Sequence, residues 1–176
     1  MKIKLLLLLL ILPLIHGGAF AQASLEVSAG AILNNPSPAT GQATQDFYYS
    51  LAGGYRIDKF ALNLSVFGDP SKQNPKQPTR GSATATFRFL DSGDWNFTVG
   101  AGGYKFGNEV GGFGAMGMSY KNFEAWGRVG SQSFTEAEAF YPVFKTERLR
   151  IGPTFLFSRM ENIQTVQRAG LKLTLQ

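Results

Sequence analysis

The chain of 176 residues contains no cysteine, and its one histidine, His16, lies within the first twenty residues. Absent cysteine removes disulfide frameworks, thiol nucleophiles, zinc-finger sites and a lipidated N-terminal cysteine. Charge is sparse, with Asp, Glu, Lys and Arg together making 16% of the chain. No internal stretch approaches the ~20 consecutive apolar residues of a transmembrane helix. Apolar residues at i, i+3, i+4 and i+7 are also scarce, which argues against amphipathic helices.

The N-terminus has the three parts of a secretory signal. Met1-Lys2-Ile3-Lys4 is basic, Leu5 to Leu12 is unbroken apolar, and Pro13 and Gly17-Gly18 end the run. Ala19-Phe20-Ala21 is an A-x-A cleavage site, with Ala21-Gln22-Ala23 as a second. The core from Leu5 to Ile15 is too short to span ~30 Å of hydrocarbon. We therefore read residues 1–21 as the signal and 22–176 as a single domain. Cleavage removes Lys2, Lys4 and His16, taking the formal net charge from +5 to +3. Without His or Cys, Ser-His-Asp and Cys-His triads, imidazole acid–base chemistry and histidine metal sites are unavailable. The expectation is a protein that is not an enzyme and carries no cofactor or metal.

The rest of the chain has a hydrophobic period of two. Phe47, Tyr49, Leu51, Gly53, Tyr55 and Ile57 alternate with polar or small residues, as do Phe60, Leu62, Leu64 and Val66, and Ala169, Leu171, Leu173 and Leu175. This spacing predicts strands at 24–34, 46–57, 59–68, 81–90, 95–106, 110–120, 122–134, 139–146, 149–158 and 165–175. Most have the 9–12 residues of a tilted strand crossing a bilayer. Short connections at Asp58-Lys59, Asp91-Ser92-Gly93-Asp94 and Lys121-Asn122 contrast with long, polar, Pro-rich ones at 35–45 and 69–80. The fold class is all-β, an antiparallel up-and-down transmembrane barrel of ten strands. Pro142 weakens the eighth strand, so eight strands with an irregular 135–147 segment is the alternative.

Two further patterns favour lipid over a soluble sheet. Tyr55, Phe60, Phe87, Phe89, Trp95, Phe97, Tyr120 and Phe123 flank the short turns, and Phe47, Phe67, Tyr104, Phe106, Phe134, Phe140 and Phe157 lie toward the long loops. Two such bands match the aromatic girdles of membrane barrels. Glu26, Arg56, Arg88, Glu124, Arg128, Arg150, Arg168 and Lys172 sit on the face opposite the apolar rows. Buried charge is costly unless paired or hydrated, and a polar lumen meets that requirement. Glycines crowd 100–130 and leave room for Tyr104, Trp126, Arg128 and Arg150 inside a narrow barrel.

With its signal, dyad strands, short turns, aromatic bands and amphipathic last strand, the chain resembles the small bacterial outer-membrane β-barrels of the OmpA transmembrane-domain and OmpX-like class. That resemblance implies an outer-membrane location after export and contact with outer-membrane lipid. The ending Leu171-Lys172-Leu173-Thr174-Leu175-Gln176 keeps the alternation but lacks the terminal aromatic that such proteins commonly carry as an assembly signal. Outer-membrane lipid A deacylases and palmitoyl transferases are similar in size, but their chemistry depends on a histidine.

Other motifs are weak. Gly112-Phe113-Gly114-Ala115-Met116-Gly117 matches a dinucleotide fingerprint but lies inside a predicted strand with no helix after it. Asn63-Leu64-Ser65 and Asn96-Phe97-Thr98 match glycosylation sequons within strands. Glu136 and Glu138 alternate beside a loop and form no recognisable hydrolytic pair. The 69–80 loop carries Lys72, Lys76 and Arg80 against Asp69, a set suited to anionic lipopolysaccharide groups. Nucleic-acid binding is not expected from a net +3 spread over both faces. The expected role is structural or adhesive through the surface loops, with a lumen closed by a polar network. The alternatives are a narrow porin-like channel for small anions and a soluble periplasmic β-barrel binding an apolar ligand.

Overall fold

A computed structural model describes residues 21–33, 47–68, 79–160 and 163–176. Residues 1–20 of the expected signal 1–21, the 35–45 loop, most of the 69–80 loop, and the cations Lys72 and Lys76 lie outside the described residues. Every regular element among them is a strand: β1 (Ala21–Ile32), β2 (Phe47–Ile57), β3 (Phe60–Gly68), β4 (Arg80–Ser92), β5 (Trp95–Phe106), β6 (Glu109–Tyr120), β7 (Phe123–Gly130), β8 (Thr135–Phe140), β9 (Phe144–Lys145), β10 (Leu149–Met160) and β11 (Ile163–Leu175). Consecutive strands pair antiparallel, and β11 returns to β1 from Leu25↔Leu175 to Ile32↔Arg168, closing the barrel. β8 and the two-residue β9 both pair with β10 and act as one interrupted stave, so the barrel has ten. The break falls at Tyr141-Pro142-Val143, where proline can give no ladder hydrogen bond.

The alternation written in the sequence is the alternation of the wall. In β6, Gly111, Phe113, Ala115, Gly117 and Ser119 are shielded, whereas Gly112, Gly114, Met116, Met118 and Tyr120 are exposed. Leu51, Leu62, Met116, Val129 and Leu171 all stand on the outside, with Val129 67% exposed. The inside holds Ser28, Thr84, Thr86, Glu136, Arg168 and Lys172, all buried. The distribution is the reverse of a water-soluble domain, where apolar side chains take the interior.

Three local features depart from the simple pattern. In β4 the register slips between Arg88 and Leu90, so one extra residue opposes β5. This bulge places Phe89 and Leu90 both outside, and it returns Asp91 to Arg88's face, where the two side chains pair at 3.0 Å. Strand β7 ends at Gly130, four residues short of the expected 134, and β8 begins at Thr135 instead of 139. Gln132 and Ser133 take φ of 55° and 53°, and Gly130 N–H donates to the Phe134 carbonyl at 2.8 Å, so 131–134 is a tight turn. The two-residue turns at Asp58 and Lys121 likewise use φ of 51° and 52°, the left-handed backbone of hairpins whose twist matches the strands.

Candidate functional site

Among the described residues the barrel interior gathers most of the ion pairs, and it divides into two unlike halves. Toward the ends joined by 34–46, 69–79 and 131–134, aromatic side chains cluster in the lumen. Tyr48, Phe67, Ile32 and Leu156 form one buried cluster, and Tyr104, Phe113, Ala115 and Phe134 form another. The Arg80 guanidinium lies over both, 5.1 Å from the Phe67 ring and 5.3 Å from the Phe134 ring. Its carboxylate partner is Glu136, which also binds Arg128 and whose side chain is only 2% exposed. One carboxylate thus accepts from two guanidiniums, and each charge is taken from water with hydrogen bonds in place. Arg168 Nη1 donates to Ser158 Oγ at 2.6 Å, and its guanidinium stands 4.7 Å from the Phe67 ring.

Toward the short turns and the two strand termini, Ala21 and Leu175, the lumen is open and polar, with a cavity of about 430 Å³. A cavity of about 80 Å³ lies between it and the aromatic clusters. Lys172 stands at their common wall, with Nζ 2.8 Å from Glu26 and 2.9 Å from Glu138. Arg150 binds Glu124 at 2.5 Å in the large cavity, and its guanidinium lies 5.4 Å from the centre of the Phe140 ring. Cross-strand hydroxyl pairs, Ser28–Ser50 and Ser65–Ser82, each at 2.6 Å, satisfy interior polar groups without charge.

Of the eight interior residues read from sequence, the structure brings Glu26 to Lys172, Glu124 to Arg150, and Arg128 to Glu136. Arg88 pairs with Asp91 at the turn end, and Arg56 lines the large cavity with no carboxylate within 4.0 Å among the described residues. Arg80 corrects the reading that grouped it with the loop cations. It is the first residue of β4, opposite inward-facing Phe67, so pairing turns its side chain into the lumen. Glu136 and Glu138, expected beside a loop, are interior acceptors because β8 starts four residues early. The signal for them was present: their spacing of two places both on one face of a strand.

The aromatics divide in the same way. At the short turns Phe60, Phe89, Trp95 and Tyr120 are exposed on the outside. Trp95 lies 4.4 Å from Tyr120 and stacks on Phe97 at 5.8 Å, Phe97 meets Phe89 at 6.2 Å, and Phe60 meets Phe87 at 4.8 Å. Tyr55 and Phe123 are half-buried on their strands nearby. The set expected toward the long loops is different, because Phe67, Tyr104, Phe134 and Phe140 point inward and are buried. Alternation carries the signal for two of them: Phe67 shares the phase of Asn63 and Ser65, and Tyr104 that of Thr98 and Gly100.

No family model and no curated protein matches the chain. Among solved structures it is similar to Neisserial surface protein A, at 9% identity and a TM-score of 0.45, over 88% of this chain and 97% of that one. The chain's own residues carry the functional reading: a closed, ten-stave antiparallel barrel, apolar outside and ion-paired within.

Proposed function

We propose that the protein is an exported outer-membrane β-barrel that works at the cell surface through its loops, with a lumen closed at the loop end. The observation that carries this reading is the reversal of the ordinary protein: exposed Leu, Val, Met and Phe outside, and Glu136 bound by Arg80 and Arg128 inside. An apolar exterior of this extent is stable in lipid and prone to aggregation in water. Residues 1–21 direct export, and the exposed rings around Trp95 and Tyr120 anchor the barrel at one lipid–water boundary. The short turns then face the periplasm, and the segments 34–46 and 69–78 face outward. Lys72 and Lys76 supply loop cations for lipopolysaccharide phosphates or a protein partner, without help from Arg80.

The rival, an anion-selective channel, invokes Arg56, Arg88, Arg128 and Arg150. Two of these four are held by Glu136 and Glu124, and the aromatic clusters stand in the path. A soluble barrel for an apolar ligand is disfavoured by an interior of Ser, Thr, Arg and Glu. Fractionation comes first: the protein is expected in the detergent-extracted outer membrane and to shift on gels after boiling. Recovery as a folded soluble protein would reject the membrane reading. In planar bilayers the purified protein is expected to give no steady openings, and sustained anion-selective current would reject the closed lumen while leaving the membrane assignment intact.

A further inference from the structure

The open half of the lumen has a composition that hydration alone does not require. Arg56 and Lys145 line it and have no carboxylate within 4.0 Å among the described residues, unlike Arg150, Arg128 and Lys172 deeper in the barrel. Arg56 pairs with Ala61, and Ala61 pairs with Thr86, one inward position before Arg88. The small Ala61 side chain therefore separates two guanidinium-bearing positions on the same wall. Trp126 lies opposite Gly117 in the β6–β7 ladder, and a Cβ on Gly117 would meet the indole ring at 2.7 Å. The ring thus lies against the glycine, is half-buried, and forms part of the cavity wall. Two buried polar atoms in the same wall, Asn96 Oδ1 and Arg150 Nε, have no protein partner.

We propose that this cavity is a binding site for a small anionic sugar, a single ring bearing a phosphate or carboxylate. Its volume of about 430 Å³ falls within the ~300–1,000 Å³ typical of small-molecule sites. The forked guanidinium of Arg56 and the edge of Arg88 that Asp91 does not hold, with Lys145 near the mouth, suit an oxyanion, since the wall's Glu26, Glu124 and Glu138 are already bound by Lys172 and Arg150. The indole face receives the apolar C–H side of the ring, which points hydrogens at an electron-rich surface. The site opens at the turn end, so it takes ligand from the side on which the termini lie. The inference goes beyond the surface role and does not depend on closure at the loop end.

The test uses the protein purified in detergent with Trp95→Phe, which leaves Trp126 as the sole indole of the two in the sequence. Glucose 6-phosphate and glucuronate are expected to change Trp126 fluorescence saturably at millimolar concentration, and glucose is expected to do so at least about tenfold more weakly. Arg56→Gln is expected to weaken glucose 6-phosphate by about tenfold, and Arg56→Lys to recover part of that loss. Glucose binding as tightly as its phosphate, inorganic phosphate binding as tightly as the sugar phosphate, or no saturable change at all would overturn the proposal. The ligand series on the Arg56-containing protein decides the matter even where an Arg56 variant fails to fold. Conductance plays no part in the readout, so an open loop end and an empty site give different results.

Discussion

At its loop end the barrel interior is packed with Tyr48, Phe67, Tyr104, Phe113 and Phe134, and its charges there are tightly bound to one another. At its turn end the same wall carries Ser, Thr, Asn and Arg around a cavity of about 430 Å³. Both halves derive from one alternation of inward and outward residues, so the difference lies in which side chains fill the inward positions. Around Glu136 the lumen narrows to a cavity of about 80 Å³, so its charges are met chiefly by protein partners. Where it is open, water can serve, and a cation such as Arg56 can stand without a carboxylate. The comparison predicts that identical kinds of substitution have unequal effects in the two halves.

The largest effect is expected from Glu136→Gln. It leaves Arg80 and Arg128 facing each other's charge without the carboxylate that both bind, at a cost of about 3–5 kcal/mol. Urea unfolding of the protein in lipid vesicles reads this as a lowered midpoint. A loss under about 1 kcal/mol would mean that the loop half is hydrated like the other. Next comes Phe134→Ala, which removes a ring 2% exposed that lies 4.8 Å from Tyr104 and 5.7 Å from Phe113. The expected cost is about 3 kcal/mol, accompanied by current bursts in planar bilayers that the parent lacks.

Gly117→Ala sharpens the comparison within the open half. The added methyl strikes the Trp126 ring at 2.7 Å, and the indole can swing into the cavity, so the expected cost is about 1–2 kcal/mol. A blue- or red-shifted Trp126 emission in the Trp95→Phe background reports the movement, and unchanged emission would show that the ring does not rest on the glycine. The smallest effect is expected from Asp91→Asn. Its pair with Arg88 at the turn end is half-solvated, and the loss should stay below about 1 kcal/mol by the same urea measurement.

Much of this architecture was legible in the sequence because strand periodicity is local. A residue's side of the wall follows from counting by twos, and the ten staves, the tight turns and the closing pair β1–β11 follow from the lengths of the alternating runs. The reading failed where an event of one residue changed the count. The bulge at Phe89 moved Leu90 outside and Asp91 inside, and the left-handed turn at Gln132 and Ser133 advanced β8 by four residues. Nothing in the composition of those segments marks such shifts. The ends of loops were also misread: Arg80 looked like a loop cation and Phe134 like an interfacial ring until pairing set their orientation.

By itself, then, the sequence determined the kind of object this is: an alternating chain whose apolar face is too extensive for water and whose other face is charged. It also determined which residues share the inner wall, because a pleated strand permits only two directions. Only the tertiary structure decided who meets whom inside. Barrel closure and stagger bring Glu136 between Arg80 and Arg128, residues 56 and 8 positions away along the chain. The same stagger leaves Arg56 facing open space. Side-chain direction is a property of each strand, whereas pairing across a lumen depends on the registers of all ten staves together.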